Sequence, residues 1–156
     1  MKFEKIREIR KEKNLKQKDI ATILNVERST YAGWETGKDT IPLRKLVELS
    51  NYYKLSIDYI TGLSNKNKYC NDINYIDPII VGENLKKLRK EKGLKQRNIF
   101  EMLNISSSSY SVYENGKILI QTSFIYEIAK NYNSSIDFLI KKQWNFKILK
   151  SLFFLQ

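Results

Sequence analysis

RKEKNLKQ, residues 10–17, returns almost unchanged as RKEKGLKQ, residues 89–96. A Lys-rich chain could write so polar a string twice by composition alone, so the flanking residues decide whether it marks a true repeat. They continue in the same register without a gap. Ile20 falls on Ile99, Leu24-Asn25 on Leu103-Asn104, Tyr31 on Tyr110, Glu35 on Glu114 and Gly37-Lys38 on Gly116-Lys117. Further on, SIDYI (56–60) falls on SIDFL (135–139). Roughly a third of the positions between Glu4 and Leu63 are identical at this offset, which is an internal duplication and not a coincidence of composition. The one mismatch inside the octapeptide sets Asn14 against Gly93. These are the two residue types that most readily turn left-handed after a helix. Each copy therefore predicts a Lys-rich helix that stops just before Leu-Lys-Gln.

The duplication divides the 156 residues into two small domains, each near the lower size limit for a core of its own. The expected boundaries are 1–63 for the first domain, 64–81 for a linker, 82–140 for a second, divergent domain and 141–156 for a basic amphipathic tail. Net charge is +11, distributed as +4 over residues 1–64, zero over 65–81, +3 over 82–140 and +4 over 141–156. A positive balance carried by both copies favours a polyanionic partner, nucleic acid first. Cys70 is single and fits a reducing cytoplasm. There is no histidine, no zinc-type cysteine spacing, no paired catalytic constellation and no glycine-rich phosphate loop. The expectation is no metal, no cofactor and no enzyme. The first residues lack the apolar core of a signal peptide and no run reaches membrane-spanning length, so a cytoplasmic protein is expected.

Both copies read as helical throughout. Ile6 and Ile9 form one buried stripe, Ile20, Ile23 and Leu24 another, and Tyr31 and Trp34 lie three apart in the next segment. Gly37 is placed to stop that third helix. Pro42 suits a first helical turn, after which Leu43, Leu46, Val47, Leu49 and Tyr53 continue at helical spacing. Ser56 is a good cap for a short fifth helix. The second copy repeats this with Leu85/Leu88, Ile99/Leu103, Tyr110/Tyr113, Ile125/Ile128/Tyr132 and 136–139. The fold class is therefore all-α: two tandem five-helix domains. In the linker, Ile76, Ile79, Ile80 and Val81 are candidates to dock on a domain. The tail has eight large apolar residues between Trp144 and Leu155, enough for an amphipathic helix but not for a membrane span.

LKQKDIATILNVERSTYAGWETGK (15–38) resembles the helix-turn-helix of the lambda-repressor-like, Cro/XRE-type family of DNA-binding proteins. PLRKLVELSNYYKLSIDYITG (42–62) resembles that family's fourth and fifth helices. The likeness covers residues 3–63 and, more weakly, 82–140. Gln17 opens the second helix, Ala21 is small where two helices must approach, Asn25 suits the strained turn, and Glu35-x-Gly37-Lys38 closes the recognition helix.

The resemblance implies a third helix that enters the major groove, its N-terminal side chains at base edges. With Tyr31 and Trp34 turned inward, Arg28, Ser29, Ala32 and Gly33 are the expected outward, base-contacting positions. Arg28 can bond a guanine twice, Ser29 pairs with several bases, Ala32 can only touch a thymine methyl, and Gly33 has no side chain to read with. Gln17 matches the family's phosphate-binding residue, at a helix start where free N–H groups also attract an anion. Lys16 replaces the usual Ser or Thr cap and can add phosphate attraction. Lys38 and Arg44 are further phosphate candidates, with Gln96 and Lys117 as counterparts in the second copy. Arg10 with Glu35, and Arg89 with Glu114, match a pair typically salt-bridged in the family.

The second copy departs from this pattern. Phe100 stands where Ala21 does and should push the second helix outward. Its outward positions Ser107, Ser108, Ser111 and Val112 carry no charge. Ser106 is a better cap than Glu27. The expected function is a repressor-like, sequence-specific regulator bound to double-stranded operator DNA, and so nucleoid-associated when bound. A homodimer stays open as an arrangement. The alternative is an antitoxin-type module that binds a protein partner, through the apolar tail, as well as its own promoter.

Overall fold

Ten helices and no strand make up the described part of the computed structural model, residues 1–70 and 72–142. The first copy forms α1 (Glu4–Glu12), α2 (Gln17–Ile23), α3 (Arg28–Thr36), α4 (Leu43–Tyr53) and α5 (Ile57–Thr61). The second forms α6 (Pro78–Glu91), α7 (Gln96–Met102), α8 (Ser107–Glu114), α9 (Thr122–Asn131) and α10 (Ile136–Leu139). This is the all-α, tandem five-helix architecture. No helix of the described residues is long and apolar enough to cross a membrane. The helix expected over 144–155 lies outside the described residues.

Left-handed residues set the joints. After α1, Asn14 has φ 55°, and after α6 Gly93 has φ 67°. Both return the chain so that Leu15 N–H bonds the Arg10 carbonyl at 3.1 Å and Leu94 N–H the Arg89 carbonyl at 2.9 Å. Asn25 (φ 50°) and Asn104 (φ 53°) do the same between the second and third helices of each copy. There Val26 N–H reaches the Ala21 carbonyl at 2.9 Å and Ile105 N–H the Phe100 carbonyl at 3.0 Å. The displacement expected from Phe100 is absent at this turn. Its ring is half-buried where Ala21 is buried, so the extra volume goes to the surface and α7 still packs on α8.

The linker is shorter than the sequence suggests. The Asp77 carboxylate accepts the Ile79 N–H at 2.9 Å and Pro78 occupies the first turn, so residues 78–81 belong to α6. Gly82 lets α6 press on the end of α8: a Cβ there would lie 2.7 Å from the carbonyl oxygens of Tyr113 and Glu114. What remains of the linker lies on α4. Asn51 exchanges both of its side-chain bonds with the Ile73 backbone, at 2.9 and 3.1 Å, and Ile76 is buried. Val81 is buried as well, whereas Ile79 is exposed.

Ile6, Ile20, Leu24, Tyr31, Leu46 and Leu49 fill the first copy, and Leu85, Ile99, Tyr110, Ile125, Ile128 and Ile136 the second. The expectation of a separate core in each copy needs correcting. The two apolar interiors run into one cluster, joined where the buried Phe3 ring meets Tyr126 edge-on at 5.4 Å.

Candidate nucleic-acid interface

The interface is built outward from a buried ion pair. Arg10 on α1 donates from Nε to Glu35 Oε1 at 2.5 Å and from Nη2 to Oε2 at 3.0 Å; its Nη1 donates to the Leu15 carbonyl at 2.7 Å. Glu35, in the last turn of α3, is 2 % exposed. Its Oε2 also accepts from Gln17 Nε2 at 2.9 Å. Burial pushes the Glu35 carboxyl up, but the hydrogen bonds from Arg10 and Gln17 outweigh it and leave the pKa below the ordinary carboxylate value. Gln17 Oε1 in turn accepts from Arg28 Nη2 at 3.2 Å. A relay therefore runs from α1, through the end of α3 and the start of α2, to the exposed first residue of α3. Its consequence is positional: Glu35 orients Gln17, and Gln17 holds Arg28. One of the two N–H groups on the Gln17 amide is committed to Glu35.

Of the expected base-contacting positions, Arg28 and Ser29 are exposed and Ala32 is half-buried. Gly33 is not an outward position. It is buried because the loop after α3 folds back over it: Asp39 N–H bonds the Gly33 carbonyl at 3.3 Å, and Asp39 Oδ2 lies 2.9 Å from where a Cβ would stand. The glycine thus serves loop closure. Thr30, exposed in the first turn of α3, was not singled out by the sequence reading. Its signal is its place among the N-terminal residues of the recognition helix.

Lys16 and Lys38 are exposed. The Asp19 carboxylate accepts the Lys16 N–H at 2.7 Å, which sets a negative charge in the first turn of α2 and offsets its pull on an anion. Arg44 is exposed and touches the linker on one side. Its Nη1 donates to the Ile76 carbonyl at 3.2 Å and its guanidinium lies 5.4 Å from the Tyr75 ring centre.

The second copy keeps the ion pair and loses the relay. Arg89 Nε donates to both Glu114 oxygens, at 3.1 and 3.0 Å, Nη2 donates to Oε1 at 2.5 Å, and Nη1 donates to the Leu94 carbonyl at 3.0 Å. Ser107 stands where Arg28 does and is too short to reach Gln96. At the corresponding helix start the neutral Asn98 accepts the Lys95 N–H at 2.8 Å, so Gln96 has no acidic neighbour like Asp19. Ser106 caps α8 by accepting the Ser109 N–H at 3.1 Å, and its hydroxyl lies 2.9 Å from that of Ser108. Glu27 gives α3 no side-chain cap. Ser107, Ser108 and Lys117 are exposed.

Comparison with known proteins matches both copies separately. Residues 6–60 match the family model described as helix-turn-helix, and residues 82–143 the one described as helix-turn-helix domain. Among curated proteins, YobD of Bacillus subtilis (strain 168), named an HTH-type transcriptional regulator, is 36% identical over 62 residues, 40% of this chain and 55% of the relative. YqaE of the same organism, also named an HTH-type transcriptional regulator, is 35% identical over 68 residues, 44% of this chain and 59% of the relative. The chain thus spans little more than half the length of either. A solved transcriptional regulator from Listeria innocua is 31% identical over 47% of this chain and 72% of its own, with a TM-score of 0.37. With the turns, ion pairs and helix order described above, the two family-model matches place the chain in the helix-turn-helix family, of the lambda-repressor-like (Cro/XRE) type, as two domains in tandem.

Proposed function

We propose that the chain is a sequence-specific, repressor-like transcriptional regulator that inserts α3 into the major groove of double-stranded operator DNA. The observation that carries this reading is the relay ending on Arg28. It presents a two-pronged base reader at the exposed N-terminal end of a short helix, with its orientation supported from a buried ion pair. Ser29 and Ala32 complete the reading face, and Gln17, Lys16 and Lys38 bind the flanking phosphates. In the second copy Ser107 and Ser108 meet bases while Gln96 and Lys117 meet phosphates. The net charge of +11 and the names of the relatives support a DNA partner. The protein acts in the cytoplasm without catalysis.

Selection of bound duplexes from a random pool, with the whole chain, tests the reading. A single enriched motif is expected; recovery of unenriched duplex would leave only nonspecific charge attraction. The apolar sequence of the tail supports a second reading, an antitoxin-type protein partner. A stoichiometric co-purifying protein that is lost on deletion of 143–156 would establish it.

A further inference from the structure

The offset that relates the two copies in sequence also relates their contacts in space. The Asp137 carboxylate accepts the N–H groups of Ile57 and Asp58, at 3.1 and 2.8 Å, and the Asp58 carboxylate accepts the N–H of Ile136, at 2.8 Å. Asp58 and Asp137 are the same position of the repeat, as are Ile57 and Ile136. Each copy therefore caps the last helix of the other with the same residue. Reciprocity of this kind is the signature of a two-fold interface.

A second seam repeats the relation. Residues 40–44 of the first copy face residues 119–123 of the second across a cavity of about 390 Å³, and the two segments are the same five positions of the repeat. We propose that the single chain is its own pseudo-dimer: the copies lock around a pseudo-two-fold axis, so that α3 and α8 address two unlike half-sites of one bipartite duplex. The proposal rests on the DNA-binding reading and adds to it the number of chains and the form of the site.

The rotation that exchanges α5 with α10 and one five-residue segment with the other also exchanges α3 with α8, because each is tied within its copy by the same ion pair and the same turn. Two-fold pairs of this kind meet DNA at half-sites about one helical turn apart. Two contacts break the symmetry and favour pairing of unlike copies. The Thr122 hydroxyl donates to the buried Ile41 carbonyl at 2.6 Å, and its counterpart Leu43 has no hydroxyl. Phe3 packs on Tyr126, and the counterpart of Phe3 is Gly82. Two first copies from separate chains would lose both contacts. The half-sites differ for the same reason the copies do: Arg28 reads one, and serine hydroxyls read the other.

Two measurements on the full chain test this. Spin labels at Ser29→Cys and Ser108→Cys, with Cys70→Ser, should give one narrow inter-label distance without DNA. A broad distribution would overturn the pairing whatever the DNA result. On the selected duplex, sedimentation should find one 18.5 kDa chain per site. Inserting about 5 base pairs between the half-sites, half a helical turn, should cost about 100-fold in affinity, because the second reader turns to the wrong face. A loss below about threefold, or two chains per site, would overturn the bipartite site. A narrow distance with no enriched duplex would instead refute the DNA reading and leave the pairing standing. Asp58→Ala with Asp137→Ala should broaden the distance and flatten the spacing dependence, while Arg28→Ala should leave the distance unchanged.

Discussion

Arg10 grips Glu35 through two N–H···O bonds while the two residues are 9 % and 2 % exposed, so each is the other's substitute for water. Removing one partner strands a charge. Glu35→Ala should therefore destabilise the fold by about 3–5 kcal/mol, whereas Arg10→Met with Glu35→Leu should cost less than the single change. Urea unfolding of the three proteins checks the ordering, and a single-variant loss below 1 kcal/mol would contradict the desolvation argument.

Acid should weaken the same contact. With its folded pKa held below the unfolded value, Glu35 contributes stability that is present above the ordinary carboxylate pKa of about 4.3 and lost as pH falls through the folded pKa. Asp137 acts in the opposite sense. Burial raises its carboxyl above the ordinary value, against the N–H bonds from Asp58 and Ile57, so its contribution is present at low pH and lost as pH rises through the folded pKa. Melting temperatures followed downward from pH 5 should decline less steeply in Glu35→Gln than in the parent chain, measured from each protein's own value at pH 5.

Arg28 and Ser107 occupy the same position of the repeat and predict different losses. At fixed salt, Arg28→Ala should cost roughly 1–3 kcal/mol on the selected duplex and relax choice at one base pair. Ser107→Ala removes one hydroxyl and should cost less. Filter-binding titrations against single-base variants measure both; the reverse ordering would make α8 the principal reader.

Lys38 is exposed just past α3 and is expected to meet phosphate, not base. Lys38→Ala should reduce the slope of log affinity against log salt by about one unit and leave the preferred sequence as it was. An unchanged slope removes it from the contact.

Two glycines separate crowding from conformation. Gly82→Ala would drive a Cβ to 2.7 Å from two carbonyl oxygens of α8's last turn and should cost about 1–3 kcal/mol. Gly93 has φ 67° with nothing within 4 Å of the position its Cβ would take, and Asn14 adopts φ 55° at the same repeat position. Gly93→Asn should stay within about 0.5 kcal/mol of the parent. Thermal melts of the two variants give the comparison.

Residue type alone encoded what depends on a few neighbours. The left-handed joints at Asn14, Gly93, Asn25 and Asn104 follow from the residues that tolerate positive φ, and the cap at Ser106 from a hydroxyl placed before a helix. The buried stripes follow from helical spacing, and the duplication from register. Family likeness supplied the partners Arg10 and Glu35, and the structure added the Gln17–Arg28 extension of that pair.

Tertiary packing decided what depends on which distant segments meet. Gly33 was read as outward by its place on the helix, yet the returning Asp39 covers it. Arg44 donates to the carbonyl of Ile76, 32 residues away, a contact that its sequence neighbours do not announce. Asp58 and Asp137 each sit at the start of a short helix, where an acidic residue suits the helix dipole and gives no hint of a partner. Only the packed chain shows that Asp137 accepts two N–H groups and Asp58 one from the other copy, about 80 residues away, because a side chain's bond depends on where the whole backbone has carried its partner and sequence neighbours do not record that.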